Sequence, residues 1–340
     1  MKILLDAFGG DNSPGEIIKG AVDYVNAGGC AEVCLVGMVD VVKKIISDNG
    51  YSDKNLSFMN ATEVITCEES PTDAFKKKTD STITVSMNAL RSGEYGAFVS
   101  AGSTGAVLTA AVLKAGRLKG VARPGLGTIL PSISGNPVMF MDVGANADCK
   151  PEYFVQFAIM ADAYMKKIYG LKSPKVALLC NGTEDEKGSA LTHVVFKALK
   201  QVDSINFVGN IEGRDILTGD YDVIVTDGFS GNVAIKSTEG AANAIIAILK
   251  KNIMSSFRAK LGFLLMKKAF KNTMKEVDYN NRGGAVLLGV NGVVCKSHGS
   301  SKAKAITASL FQAERAVKED IKAEIISRLA DEKLKEIKYE

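Results

Sequence analysis

Seven short segments rich in small and polar residues have the composition of anion-binding loops. Each is predicted to follow a β-strand, and they cover residues 6–11, 100–106, 142–146, 181–188, 209–213, 227–232 and 297–300. Ligands of open α/β sheets bind outside the carboxyl ends of the strands, and the N–H groups that begin a following helix attract negative charge. Glycines in such loops also let an anion come close to the backbone. One loop would be weak evidence, but seven at equivalent strand ends indicate a phosphate site.

Three titratable side chains in these loops are the catalytic candidates. Lys187, at a predicted helix start, either meets a phosphate or acyl oxygen or neutralises the three acids before it. Asp227 follows the strand at 222–226, so it is either a site residue at the rim of the sheet or a helix N-cap. His298 is one of only two histidines, and its position in a strand-end loop favours a functional role. His193 lies within a predicted helix and is interpreted as structural.

Other loop residues are candidates for binding phosphate or substrate through backbone N–H groups, side-chain amides or positive charge. They are Gly102, Ser103, Thr104, Gly105, Arg123, Asn146, Asn210, Gly231 and Asn232. For the loop at 100–106, the alternative is an ordinary glycine-rich turn followed by a capped helix.

Several other kinds of site are disfavoured. The sequence contains neither G-x-x-x-x-G-K-[ST] nor G-x-G-x-x-G, which argues against P-loop and nicotinamide sites. Its six cysteines form no C-x-x-C pair, so zinc ligation is not expected, and all six are predicted to be reduced and buried. No metal and no redox cofactor is implied.

Short β-branched runs alternate with helical periodicity along the whole chain. Candidate strands lie at 2–5, 32–36, 97–100, 138–142, 175–179, 206–208, 222–226 and 293–295, and most are followed by a predicted helix. This alternation predicts a three-layer αβα fold with a largely parallel sheet. No stretch has the composition of a linker, so residues 1–340 are predicted to form a single α/β domain.

At these loops the sequence resembles the phosphate acyltransferase family, the acyl carrier protein–phosphate transacylases of bacterial phospholipid synthesis. The similarity runs nearly end to end and rests on residues 6–11, 76–81, 100–106, 123–124, 142–146, 209–212, 227–232, 284–289 and 297–300. It implies transfer of a long-chain fatty acyl group from acyl carrier protein to inorganic phosphate, giving acyl phosphate for phospholipid synthesis. It also implies a fold related to phosphotransacetylases and isocitrate-type dehydrogenases, a homodimer, and delivery of the product to a membrane glycerol-3-phosphate acyltransferase.

Phosphate is already a nucleophile at neutral pH, so this reaction needs no acyl-enzyme, and the chain has no G-x-S-x-G elbow. The difficulty is charge, because a phosphate dianion must meet a carbonyl that becomes an oxyanion. Lys187, with Arg123 as second candidate, would supply positive charge. His298 would stabilise the oxyanion or protonate the leaving thiolate, and Asp227 would orient a donor.

The segment 240–275 is basic and amphipathic. It has eight lysines and arginines and no acid, while the whole chain has a net charge of +4. Gly262 is the candidate break between two helices. The residues predicted to meet an anionic membrane or the acidic carrier protein are Lys250, Lys251, Phe257, Arg258, Lys260, Leu261, Leu264 and Leu265. The alternative is that the apolar stripe packs in the core or in a dimer interface. Nucleic acid is not expected, because no binding motif accompanies the segment and there is no Trp.

The N-terminal apolar run is too short for a signal peptide, and no stretch approaches the ~20 apolar residues of a membrane span. We therefore expect a cytoplasmic enzyme with peripheral membrane association. The alternative activity is that of a phosphotransacetylase-like enzyme using short acyl-coenzyme A. An isocitrate-type dehydrogenase and a non-catalytic membrane scaffold are more distant alternatives.

Overall fold

Apolar and β-branched runs form an eleven-stranded sheet in the computed structural model, which describes residues 1–66, 68–277 and 283–339. In chain order the strands are β1 (Lys2–Asp6), β2 (Glu32–Gly37), β3 (Leu56–Asn60), β4 (Ala97–Ser100), β5 (Gly125–Leu130), β6 (Val138–Met141), β7 (Lys175–Cys180), β8 (Asn206–Glu212), β9 (Val223–Val225), β10 (Ala285–Leu288) and β11 (Val293–Lys296). All eight predicted strands are confirmed.

The sheet changes direction in its middle. Its order is β3-β2-β1-β4-β11-β10-β5-β6-β9-β7-β8. The β11–β10, β10–β5 and β5–β6 pairs are antiparallel, whereas the other seven neighbouring pairs are parallel. Three successive reversals make β1, β4 and β11 run opposite to β6, β9 and β7. The seven predicted loops therefore do not share one edge of the sheet, and residues 209–212 lie inside β8 rather than in a loop.

The helices cover both faces of the sheet. They are α1 (Gly15–Asn26), α2 (Val39–Asp48), α3 (Pro71–Lys77), α4 (Thr82–Ser92), α5 (Thr104–Ala110, continued by a π-helical turn at Ala111–Ala115), α6 (Pro151–Tyr169), α7 (Ala190–Leu199), α8 (Gly228–Met254), α9 (Phe257–Val277), α10 (Ala303–Lys318) and α11 (Ile321–Leu329). Successive strand residues alternate between the layers: Ile3 and Leu5 pack in one core cluster with α1, α6 and α10, and Leu4 packs in another with α4 and α5. The predicted three-layer αβα architecture is confirmed.

Three strands were not predicted from the sequence: Leu56–Asn60, Gly125–Leu130 and Ala285–Leu288. The last two form the antiparallel centre, where a strand is not followed by a helix. The strand–helix alternation on which the prediction rested is therefore absent there, and β5 contains two glycines.

The prediction that every cysteine is buried was wrong for part of the set. Cys34 and Cys295 are buried, Cys149 and Cys180 are partly exposed, and Cys30 is exposed, while Cys67 lies outside the described residues.

Candidate active site

Three loops interlock where β1, β4 and β11 end. The buried Asp6 carboxylate accepts a hydrogen bond from Ser100 Oγ at 2.7 Å, and Ser100 Oγ accepts one from Gly102 N at 3.0 Å. Asp11 N donates to Gly299 O at 2.8 Å, which ties the first loop to the third. Burial raises the pKa of the Asp6 carboxyl above its usual value, while the hydrogen bond from Ser100 opposes that shift. These bonds hold the three loops together as one rim.

Two glycines allow this contact between loops. A Cβ on Gly9 would clash with the Asp6 carboxylate and lie 2.7 Å from Gly102 N. Gly10 has φ +93°, and a Cβ there would lie 2.8 Å from Gly299 O. Glycine is thus needed at both positions for loop-to-loop packing.

An open cleft of about 430 Å³ lies between this rim and α8. The loops after β4, β6 and β11, part of β5, the start of β10, and residues of α8 and α10 all contribute to its described lining. The predicted site residues that line it are Gly102, Thr104, Gly105, Asn232 and His298. The cleft therefore collects loops from both halves of the sheet, although the strands of the two halves run in opposite directions.

Two lysines that the sequence analysis did not select bring positive charge to the cleft. Lys296, at the end of β11, lines the cleft although it is only 8% exposed. Its Nζ donates to Ala101 O at 3.4 Å and to Ser297 O, so the ammonium lies where the loops after β4 and β11 meet. Lys236 and Glu239 of α8 line the cleft as well. Two lysines against one glutamate give this described lining a positive charge, which favours an anion.

His298 is held in one tautomer by its neighbour. Ser300 N donates to His298 Nδ1 at 3.2 Å, and Ser300 Oγ lies 2.8 Å from the same nitrogen. Because Nδ1 accepts the backbone N–H, the neutral ring carries its proton on Nε2. His298 therefore presents an N–H donor, as an oxyanion or a leaving thiolate would require.

A buried carboxylate frames the loop after β6. Asp142 Oδ1 accepts hydrogen bonds from the N–H groups of Leu126, Gly144 and Ala145 at 2.9 to 3.1 Å. Its Oδ2 accepts from both the backbone and the side-chain nitrogen of Asn146 at 2.8 Å. The Asn146 amide also donates to the carbonyl of residue 124 at 2.8 Å. Asn146 thus fixes the loop whose Gly144 lines the cleft, rather than lining it directly.

The start of α8 is fixed by two predicted residues that also lie outside the cleft lining. Asp227 Oδ1 accepts a hydrogen bond from Ser230 N at 2.7 Å, so the N-cap interpretation of this residue is confirmed. Gly231 is buried, and any Cβ there would clash with Asp142 O. These contacts set the direction in which α8 presents Asn232 and Lys236 to the cleft.

The remaining predicted residues do not line the cleft either. Lys187 is exposed on the loop after β7, and Asn210 supports that loop by donating from Nδ2 to Glu184 O at 2.9 Å. Arg123 is exposed just before β5. Ser103 is buried at the start of α5, where its Oγ caps Ala106 N at 3.4 Å.

The helices α8 and α9 extend from the body as a hairpin. Beyond its first turn α8 has no buried residue, and the large apolar side chains near the tip are exposed: Phe257 by 82%, Leu261 by 56%, Leu264 by 63% and Leu265 by 87%. The apolar stripe thus does not pack in the core of this chain. The hairpin turns at residues 255–256, and α9 continues through Gly262, so the predicted break at Gly262 was wrong. No helix among the described residues is long and apolar enough to cross a membrane.

The arrangement of strands and helices is shared with phosphotransacetylases. A phosphotransacetylase from Streptococcus pyogenes superposes with a TM-score of 0.63 at 17% identity, covering 94% of each chain. A branched-chain phosphotransacylase from Enterococcus faecalis V583 gives a TM-score of 0.57 at 14% identity, covering 93% of this chain and 99% of the other. At such identities the likeness shows the fold alone, and the predicted phosphotransacetylase-like fold is confirmed.

The sequence comparisons define the family. The profile of the family described as "Fatty acid synthesis protein" matches residues 1–324. The "Phosphate acyltransferase" of Dictyoglomus turgidum is 44% identical over 329 residues, covering 97% of this chain and 98% of the relative. That of Clostridium novyi (strain NT) is 42% identical over 333 residues, covering 97% and 100%. The chain therefore belongs to the phosphate acyltransferase family.

Proposed function

We propose that the chain transfers a long-chain fatty acyl group from acyl carrier protein to inorganic phosphate, releasing acyl phosphate for phospholipid synthesis. Family membership supports the class of reaction. The observation that carries the assignment of the site is the cleft, which buried Lys296 and exposed Lys236 line together with His298 beside the interlocked loops.

In this cleft a phosphate oxygen attacks the thioester carbonyl. A C–O bond forms, the C–S bond breaks, and the departing thiolate takes up the proton that hydrogen phosphate loses, so that the products are acyl phosphate and a free thiol. The lysine ammonium groups favour binding of the phosphate dianion and offset the repulsion between it and the negative charge that develops on the carbonyl oxygen. The Nε2–H of His298 serves as the donor to the carbonyl oxygen or to the departing sulfur.

The residues outside the cleft lining position those inside it. Asp227 and Gly231 set the start of α8, and Asn146 holds the loop after β6. Lys187 is the exception among the residues outside the lining: we retain it as a cation for phosphate or the acyl oxygen, on the loop after β7, the strand that pairs with β9 before Asp227. Replacement by Ala should then lower turnover on the order of a hundredfold, the effect of losing one preorganised charge contact. Near-normal turnover would make Lys187 a solvated surface charge.

The activity is tested by thiol release from palmitoyl carrier protein with and without inorganic phosphate. We expect cleavage to require phosphate and hydroxylamine to trap the acyl phosphate as a hydroxamate. Equal thiol release in phosphate-free buffer would mean a hydrolase. Faster turnover of acetyl-coenzyme A than of palmitoyl carrier protein would favour a short-chain transacetylase.

We further propose that the enzyme is a homodimer that associates peripherally with anionic membrane. The exposed apolar side chains of the hairpin and its basic residues support an interfacial surface. Acyl phosphate is a reactive, lipid-soluble anhydride, so release at the membrane would pass it directly to a glycerol-3-phosphate acyltransferase there.

A further inference from the structure

One stripe of α10 combines positive charge with an exposed aromatic ring. Lys304, Ala308, Phe311 and Arg315 are spaced by four, three and four residues, which places them along one side of the helix. Lys304 and Arg315 are exposed, and Phe311 is 37% exposed despite its contact with Tyr24. These residues line a groove of about 430 Å³ between α6 and α10.

The positive charges of this stripe are not neutralised within the described part of the chain. Lys304 and Arg315 form no ion pair there. Arg315 instead packs against the ring of Tyr169, 5.8 Å from its centroid. A surface with cations on either side of an exposed aromatic ring is complementary, in charge and in polarity, to an acidic protein surface that has an apolar residue at its centre.

The stripe is adjacent to the cleft. Ala305 and Ser309, each next in sequence to a stripe residue, line the cleft from the same helix, whose diameter is about 10–12 Å. Gln312 joins the two cavities: its Nε2 donates to Tyr164 OH in the groove at 3.2 Å, and its Oε1 accepts from Gly284 N in the cleft lining at 3.0 Å.

The α10 stripe and the basic hairpin differ in their distance from the cleft, and this distance decides which of them suits a docked carrier protein. The thioester of a carrier protein sits on a flexible arm about as long as five extended residues, roughly 18 Å. From the stripe that arm spans one helix diameter to the cleft. From Lys236 in the cleft to Met254 at the hairpin tip, α8 rises by about 27 Å at 1.5 Å per residue, and to Lys250 by about 21 Å.

We infer that the α10 stripe, with Lys304 and Arg315 on either side of Phe311, is the docking surface for the acidic carrier protein that delivers the acyl group. The inference rests on the proposed acyl transfer and locates its protein substrate beside the cleft. The hairpin is then left for the membrane or for a second copy of the chain.

The test compares two doubly charge-reversed proteins in the full chain, Lys304→Glu/Arg315→Glu and, as the matched control, Lys250→Glu/Lys251→Glu. Each is assayed with palmitoyl carrier protein and with palmitoyl-pantetheine, which has the thioester but no protein. We expect the α10 variant to raise the KM for the carrier protein on the order of a hundredfold and to leave turnover of palmitoyl-pantetheine unchanged. The hairpin variant should change neither.

Binding of 15N-labelled carrier protein, followed by NMR, provides a readout that does not depend on activity. Loss of binding in the α10 variant alone supports the inference. Unchanged binding and KM in that variant, a larger loss in the hairpin variant, or a changed oligomeric state on size exclusion would overturn it. If wild-type protein binds the carrier at α10 but cleaves neither donor when phosphate is added, the proposed reaction fails while the docking surface stands.

Discussion

Replacing Lys296 by Met tests whether its ammonium group binds phosphate in the proposed site. The substitution removes a buried positive charge and leaves a side chain of similar length, while Lys296→Gln keeps a donor toward Ala101 O without the charge. Two unit charges 4 Å apart interact by about 4 kcal/mol at an effective dielectric constant of 20. Since Lys236 and neighbouring N–H groups remain, we expect a net loss of about 2 to 3 kcal/mol, or a KM for phosphate roughly 30 to 150 times higher.

The assay measures phosphate-dependent thiol release from palmitoyl-pantetheine, so that carrier docking plays no part. The KM for phosphate should rise in both variants, whereas the KM for the thioester should change little. As a control, replacement of Lys44, an exposed lysine on α2, by Met should leave both KM values at the wild-type level. Phosphate should also raise the Tm of wild type more than that of the variants, which separates binding from chemistry. Folded variants with wild-type KM and wild-type stabilisation by phosphate would refute this role, and Lys296 would then serve only to join two loops.

Three other changes test separate parts of the structure. Asp227→Ala removes the α8 cap and should destabilise the fold by about 1 kcal/mol, measured by denaturant unfolding. It should also lower turnover. If Asp227→Ser restores stability but not turnover, the carboxylate acts in the reaction and not only as a cap. Burial raises the pKa of Cys149 to about 12, so iodoacetamide at pH 8 should label exposed Cys30 first, as peptide mapping would show, and preferential labelling of Cys149 would contradict this environment. Leu261→Glu/Leu265→Glu should abolish cosedimentation with anionic vesicles while the enzyme stays dimeric and active; loss of the dimer on size exclusion would instead place these leucines between two copies.

The sequence predicted the layers of the fold well because periodicity and burial coincide there. In β1, Ile3 and Leu5 face one core and Leu4 the other, so the apolar run and its length both pointed to a buried strand. The prediction failed where strands pair antiparallel, at β5 and β10, because no helix follows them and because Gly125 and Gly127 weaken the strand pattern. Because β5 and β10 form all three antiparallel pairs, the reversal of strand direction could not be predicted without them.

The direction of a strand does not by itself decide which loops reach the cleft, since the loop after β6 lines it with Gly144 although β6 runs parallel to β9 and β7. Loops were selected by composition, and those after β4 and β11 do reach the cleft with Gly102, Thr104 and His298. The loops after β7 and β9 were treated as equivalent to these, but no described residue of the loop after β7 lines the cleft, and β9 contributes to it through α8, with Asn232 and Lys236. Lys296 was missed because it stands at the end of an apolar strand, where a lysine looks like the boundary of the strand. Its proximity to Ala101 O depends on the pairing of β11 with β4, a contact far apart in sequence.

Successive parts of α8 differ in what they contact. Its first turn is held against the loop after β6, since Asp227 caps it and Gly231 packs against Asp142 O. Its next turns bring Asn232 and Lys236 to the cleft, and the remainder projects away from the body with no buried residue. One continuous helix therefore connects the site to the exposed apolar tip. The proposed carrier surface lies on α10, which lines a different part of the cleft through Ala305 and Ser309, so the tip of the hairpin and the carrier surface share no residue. Binding at the two surfaces can therefore occur together, as required if acyl groups are to arrive from the cytosolic carrier while the product leaves toward the membrane.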